Sequence, residues 1–508
     1  MDASTLTLFY ALPILAAAAI FCVPKEKVGW VRALAVLAGL GTLAISIFVY
    51  ATYDPNGPQW QFETYQPWIP SLHIGYHLAV DGISVPMVLL TGILNLAAIL
   101  ISFSVKERVK EYFIFLLLVE AGVAGSFVSL DLFFFIIFYE LASIPIYFLI
   151  GMWGSDGQQA SRSWVTKREF SALKLLIYLQ LGGALILTGF FLLYLFAPQA
   201  GLPYSTFDFI ELSRANFGQI ANFSRIVFPL LFVAFGIEAG LFPFHTWLPD
   251  GHSAAPTAVS MLLAGVLLKM GAYGMIRFAA GLMPDAGKLW LPLFGVIAVI
   301  NILYGAWCAL KQTDIKYIIA YSSVSHMGIV FLGLASQNII GWSGALFQMF
   351  SHGIVTALLF ALAGILYEKT HTRNVMNLGG LAPQMPFVAV CFVLGGLASL
   401  GLPGMSGFVA EFLTFMGTYG WMKGLMIVST LGLVLTALYI LLTVKKVFFG
   451  PLNDAYKDET YKNFWWEKVP VAGLIMITLL FGIMPSLLTA LSQNSIGPMI
   501  RALSGMAH

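Results

Sequence analysis

Long apolar stretches separated by short polar ones make up almost the whole of this chain. Runs long enough to cross about 30 Å of hydrocarbon at 1.5 Å per residue fall near residues 6–23, 31–51, 84–104, 112–130, 132–152, 172–196, 226–248, 257–280, 289–310, 315–335, 340–367, 387–417, 425–449 and 469–491. The pattern predicts an all-α polytopic membrane protein of about fourteen transmembrane helices. The longest connections are 52–83, 197–225 and 368–386, with a basic stretch after 449, so no soluble domain is expected. The first apolar run lacks a preceding basic region and a small-residue cleavage site, and reads as a span that is retained.

The seventh and twelfth runs are each interrupted by helix breakers: Gly240, Pro243 and Pro249 in one, Gly401, Pro403, Gly404 and Gly407 in the other. They lie five spans apart. Because five is odd, two consecutive five-helix units begin on opposite faces of the membrane, and a repeat between them is inverted. Inverted repeats with broken helices at matching places are the architecture of ion-coupled transport, where freed backbone groups line a polar path. The expected organisation is a three-helix segment at 1–111, a first five-helix repeat at 112–281, a second at 282–449, and a C-terminal helix and tail at 450–508. The plainer reading is that Pro and Gly are simply common in membrane helices.

Composition agrees with lipid as the main solvent: 59% hydrophobic and 10% charged residues, with a mean hydropathy of +0.86. A net charge of +2, spread over short clusters, gives no reason to expect nucleic acid as a partner. The clusters do fix an orientation. One set of connections collects Lys25, Lys27, Arg32, Lys106, Arg108, Lys110, Arg162, Lys167 and Arg168, and later Lys311, Lys316, Lys369, Arg373 and the lysines from Lys445 onward. The other set has only Arg214, Arg225, Arg277, Lys288, Lys423 and Arg501. The positive-inside rule puts the first set in the cytoplasm and both termini on the non-cytoplasmic side, in a bacterial inner membrane. Cys22, Cys308 and Cys391 are far apart, with neither iron–sulfur nor disulfide spacing, so any electrons are expected to be handled by other chains.

Ionisable side chains inside the apolar runs change the picture from a helical bundle to a functional one. Glu120, Glu140, Lys174, Glu238, His245, Lys269, His326, His352 and Glu411 all lie within spans. Each costs at least roughly 2.5–3.5 kcal/mol at mid-membrane on insertion scales. Glu140, Glu238, Lys269, His326 and His352 fall about a third to a half of the way along their runs at 1.5 Å per residue, forming a band near the midplane. Carboxylates, lysines and imidazoles are the groups that burial and neighbouring charge bring toward neutral titration. A proton relay is the expected use. The duller readings are a helix contact for Glu120, snorkelling for Lys174, a cap on the broken helix for His245, and satisfied core histidines for His326 and His352.

Several runs resemble a known family. They are Phe138-Tyr139-Glu140-Leu141-Ala142-Ser143-Ile144-Pro145; Leu241-Phe242-Pro243-Phe244-His245-Thr246-Trp247-Leu248-Pro249-Asp250-Gly251-His252; Leu263 to Gly274 around Lys269; Tyr321 to Gly328 around His326; and Gly401-Leu402-Pro403-Gly404 with Gly407, Phe408 and Glu411. In order and spacing they resemble the antiporter-like subunits of respiratory complex I, most of all the M-type, subunit 4 in mitochondria. The related Mrp-type sodium/proton antiporter subunits share the fold.

The resemblance implies a proton path along a central polar axis, with the family's glutamate at Glu140, its bridging lysine at Lys269 and its outlet carboxylate at Glu411. His326 and His352 fall where the family has connecting polar groups. It further implies neighbouring antiporter-like subunits as partners. No cofactor is expected in this chain; NADH or another donor, FMN, iron–sulfur clusters and quinone are expected in partner subunits. One position departs from the pattern. Glu238 stands where the family usually carries a lysine paired with the glutamate of the fifth span, so attraction to Glu140 becomes repulsion if both are ionised. Then at least one of Glu140 and Glu238 is protonated at rest, or Lys174 supplies the missing cation. The rival functions are an Mrp-type sodium/proton antiporter, a structural scaffold, and a membrane cytochrome with His326 and His352 as axial haem ligands.

Overall fold

A computed structural model describes residues 4–156, 167–457, 461, 462 and 464–504; Arg162 of the basic clusters lies outside the described residues. Among the described residues thirteen helices are long and apolar enough to cross a membrane, and the short helix Pro386–Ser399 followed by Ser406–Trp421 completes the expected set. In chain order they are α1 (Ser4–Cys22), α2 (Val28–Thr52), α3 (Ser84–Ile101), α4 (Val109–Val128), α5 (Leu132–Trp153), α6 (Arg168–Phe196), α7 (Phe223–Ala239) broken before α8 (Trp247–Ala254), α9 (Thr257–Ala280), α10 (Pro284–Lys311), α11 (Ile315–Ala335), α12 (Ile339–Thr370), α13 (Pro386–Ser399), α14 (Ser406–Trp421), α15 (Lys423–Phe448), α16 (Trp465–Ile483) and α17 (Ser486–Ser504).

Burial sorts these helices by role. The most apolar stretches of α9 and α12 are wholly buried and that of α11 nearly so, whereas α1, α2, α15 and α16 turn most of their apolar surface outward. A helix apolar on every side is at home in hydrocarbon or in a bundle centre, so the polar positions decide which. Lys269, His326 and His352 ride on the three enclosed helices, with exposures of 0%, 4% and 3%. These three members of the ionisable band therefore face protein rather than acyl chains.

Matching close contacts recur in the two expected units. Small residues let helices approach where lipid offers no hydrophobic drive for association. A Cβ on Gly122 of α4 would lie 2.3 Å from the Ala142 nitrogen and 2.7 Å from the Phe138 oxygen of α5. One on Gly305 of α10 would lie 2.6 Å from the Ser325 nitrogen and 3.0 Å from the Tyr321 oxygen of α11, at the same sequence offsets. The start of α5 is tied to the connection before α7 by Leu132 N to Phe207 O and Phe209 N to Leu130 O; the start of α11 is tied before α13 by Ile315 N to Arg373 O and Val375 N to Thr313 O. Asp131 and Asp314 cap these two helix starts with their side chains. Both breaks also share one turn, with Gly240 at φ 79° and Gly401 at φ 75°, where a residue with a Cβ is strained. The following amides close on Gly236 O and Leu397 O.

Two features differ from expectation. The connection 52–83 contains an antiparallel hairpin, β1 (Gln61–Ile69) and β2 (Ile74–Val80), with register irregularities between Gln61 and Thr64 and between Pro67 and Ile69. An isolated hairpin is marginal in water. This one is held by Leu130 N to His77 O at 2.9 Å, Gly75 N to Asp131 Oδ2 at 3.1 Å, and His77 lodged between Asp208 and Glu63. The final run ends at Ile483 rather than at 491, and α17 starts anew beyond Pro485, whose missing N–H breaks the ladder but suits a helix start.

Candidate functional site

In the first half Glu140 sits half-buried on α5 and accepts a 2.6 Å hydrogen bond from Gln180 Nε2 of α6. Gly183 makes the room, since a Cβ there would lie 2.8 Å from Glu140 Oε1. Glu238 is in the last turn of α7, fully buried, and neither of its oxygens has a hydrogen-bond partner among the described residues. It is within electrostatic range of Glu140, and Tyr139 is within range of both. Lys174 does not supply the missing cation: its Nζ pairs with Asp250 Oδ2 at 2.7 Å, and Tyr317 Oη donates to Asp250 Oδ1 at 2.9 Å. The partner carboxylate was close at hand on α8, one residue beyond Pro249.

The break after α7 is braced by a residue that the sequence did not single out. Asn301 of α10 donates to Gly240 O at 2.9 Å and Val324 O at 3.2 Å while accepting from Phe242 N at 2.6 Å. Backbone groups freed by a broken helix in hydrocarbon need such substitutes. His245 follows the break, buried beside Phe242 and Tyr304, with no hydrogen-bond partner for either ring nitrogen among the described residues.

The second half forms a continuous row. α9 contains two π-helical turns, Leu263–Leu267 and Met275–Ala280, flanking Lys269. A π turn loosens the helix ladder, and Lys269 Nζ donates to Ala264 O inside the first one and meets His352 Nδ1 of α12 at 2.6 Å. An ammonium only donates, so with Lys269 charged His352 accepts at Nδ1 and holds its proton at Nε2. The His352 and His326 rings stand 5.5 Å apart, edge to face. His326 Nε2 is 3.1 Å from Ser399 O, which only accepts, so that nitrogen carries a proton; Glu411 Oε1 lies 3.8 Å away. Glu411 occupies the space opened by Gly401, where a Cβ would fall 2.3 Å from its Oε2. His326, His352, Gln348 and Glu411 border a cavity of about 10 Å³, room for about one water.

Glu120 is placed apart from this row, buried on α4 without a hydrogen-bond partner among the described residues. His252 on α8 was missed, although it closes the run that begins at His245: it is fully buried, stacked on Phe360 at 4.8 Å, and within electrostatic range of both Lys269 and Lys316. Lys316 is also buried, donating to Ala255 O at 2.7 Å. It lines a cavity of about 510 Å³ with Lys106, Glu107, Arg168 and Glu368, on the side that carries the Lys/Arg-rich connections. Arg277, read from sequence as a connection charge, is instead fully buried in a two-point ion pair with Asp81, at 2.5 and 2.9 Å.

Comparison with known proteins gives this arrangement relatives. The chain is 37% identical over 458 residues to NADH-quinone oxidoreductase subunit M of Rickettsia bellii, covering 89% of this chain and 88% of that one. Among solved structures it superposes on a chain of respiratory complex I from Thermus thermophilus with bound NADH, with a TM-score of 0.85, 28% identity and 99% of each chain covered. A chain of the Mrp complex from Dietzia sp. shares the fold, with a TM-score of 0.83, 22% identity and 99% of each chain covered. The model of the NADH:quinone oxidoreductase/Mrp antiporter transmembrane family matches residues 129–438, and the chain belongs to that family.

Proposed function

We propose that the chain is the M-type, proton-translocating membrane subunit of a complex I-type quinone oxidoreductase. The observation that carries this reading is the row Lys269, His352, His326 and Glu411, joined by a hydrogen bond, a ring contact and a 3.8 Å ion-pair approach, all four side chains buried. Protons enter from the cytoplasmic side through the cavity at Lys316 and Glu368, pass His252 to Lys269, and leave by way of Glu411. Each group in the row changes charge when its neighbour does, so protonation moves without any electron carrier in this chain. NADH or another donor, FMN, iron–sulfur clusters and quinone reside in partner subunits, and the neighbours in the membrane include other antiporter-like subunits.

The shared contacts at Gly122 and Gly305, at the two capped helix starts and at the two broken helices support an inverted repeat of 112–281 on 282–449. The Lys/Arg bias supports a bacterial inner-membrane location with both termini outside the cytoplasm. In the first half, Lys174 is committed to Asp250, so at least one of Glu140 and Glu238 is protonated at rest. The Mrp-type sodium/proton antiporter is the second reading, favoured by the fold shared with the Dietzia chain.

Purifying the chain with everything bound to it tests the choice: quinone-reducing and iron–sulfur subunits support the first reading, and antiporter subunits alone support the second. Lys269→Met in the same assembly, reconstituted in vesicles, is expected to abolish proton uptake. Undiminished uptake with normal assembly refutes the relay.

A further inference from the structure

We propose that the chain holds one anionic phospholipid in a groove between α2, α3 and α16, with an acyl chain in the groove and the phosphate at its Lys/Arg-rich end. The groove has a volume of about 470 Å³, with α3 as its floor and Leu43 and Ile47 of α2 facing Leu474 and Ile477 of α16. Its lining is apolar except for Tyr50, whose hydroxyl donates to Leu487 O at 2.9 Å and closes the far end. A surface of this kind in a membrane helix bundle is open to hydrocarbon and closed to water.

Length suits the occupant: the groove follows α3 over roughly 17 Å, from Leu89 to Leu100, the reach of one acyl chain.

Charge selects the headgroup. At the Lys/Arg-rich end the exposed Lys468 directly precedes Val469, which lines the groove. Across the mouth the Arg32 guanidinium lies 5.1 Å over the Phe103 ring, its Nη2 donating to Phe103 O and Val105 O while its buried Nε has no partner among the described residues. Phe103 in turn meets Trp465 and Trp466, with ring centroids 6.1 and 6.2 Å away. Tryptophans at the level of the headgroups, with an arginine and a lysine on either side, form the end of the site that a phosphate fits. The site stands independently of the proton path.

The test uses the assembly purified with this chain, reconstituted in phosphatidylcholine vesicles doped with a diazirine-bearing acyl probe on either phosphatidylglycerol or phosphatidylcholine. Irradiation is expected to label α2, α3 and α16 around Leu96 and Leu474, with phosphatidylglycerol preferred. Each cation contributes about fivefold to the preference, so Lys468→Gln lowers it about fivefold. Gly473 lies in the groove wall with open space where a Cβ would be; Gly473→Trp plugs the groove and abolishes its labelling while that of the outward face of α15 persists. Gly473→Leu is the milder plug if the tryptophan variant does not assemble. Groove labelling no stronger than that of α15, no headgroup preference, or photo-leucine at position 96 crosslinking to another protein chain overturns the proposal.

Discussion

Replacing His326 by phenylalanine cuts the row at its narrowest point and keeps the space filled. The ring remains to pack against His352, but both nitrogens are lost. His326 now joins His352 to Glu411 through a ring contact at 5.5 Å and a 3.8 Å approach to Oε1, and phenylalanine offers no nitrogen for either transfer. The adjoining cavity of about 10 Å³ has room for about one water, which alone must then carry the step. A positioned side chain that passes a proton is worth about 10²- to 10⁴-fold in rate, or about 3 kcal/mol at the low end. The Ser399 carbonyl also loses its donor, which costs about 1–3 kcal/mol of stability when such a group is left buried and unpaired. The expected result in vesicles, measured by quenching of a pH-sensitive dye against quinone-reductase turnover, is at least a hundredfold loss of proton uptake with assembly reduced only modestly. Uptake within twofold of the parent, in protein that assembles normally, would refute conduction through His326.

Three further outcomes follow from contacts already described. Arg277→Met leaves the Asp81 charge buried without its cation, a loss of about 3–5 kcal/mol, and is expected to lower the unfolding temperature of the detergent-solubilised chain; pairing it with Asp81→Asn, which still accepts from Ile83 N and Ser84 N, should recover part of that loss. Gly122→Ala and Gly305→Ala place a methyl against backbone at matched crossings, so each should destabilise by about 1–3 kcal/mol and by similar amounts in a thermal melt. A pair of unequal effects would count against the equivalence of the two units. The hairpin is expected to loosen as pH rises. Burial disfavours the His77 imidazolium, yet Asp208 and Glu63 outweigh it and hold the group above its ordinary 6.5. A pKa raised by folding adds stability that is complete below the unfolded value and disappears as pH climbs through the folded one. Burial likewise pushes Asp131 up to about 6, and its contribution falls in the same direction at lower pH. Hydrogen exchange of residues 61–80, corrected for intrinsic rate, should show protection declining from about pH 6.5 upward; flat or rising protection would contradict this.

The helices were legible because each side chain in a span is read against hydrocarbon, and a run of apolar residues has few other destinations. The same penalty marked Lys269, His326, His352 and Glu411 as candidates, because a charge inside a span is expensive. What stayed hidden depended on pairing. Asp250 follows Pro249 and reads as a connection, so its hold on Lys174 was invisible, and Arg277 and Asp81 are too far apart in sequence to suggest a bond. His252 was in plain view but sits at the edge of a hydrophobic run, where depth arguments lose their force. The hairpin escaped because Pro67 and the register shifts interrupt the alternation that marks a strand.

Lys269 stands between two π turns, and the second of them contains Arg277, fixed to Asp81. A π turn holds one residue more than the α turn it replaces, and one residue corresponds to about 100° of rotation about the helix axis. The two extra residues therefore set the direction in which Lys269 leaves the helix relative to the flanking turns, and with it the aim of its ammonium at His352.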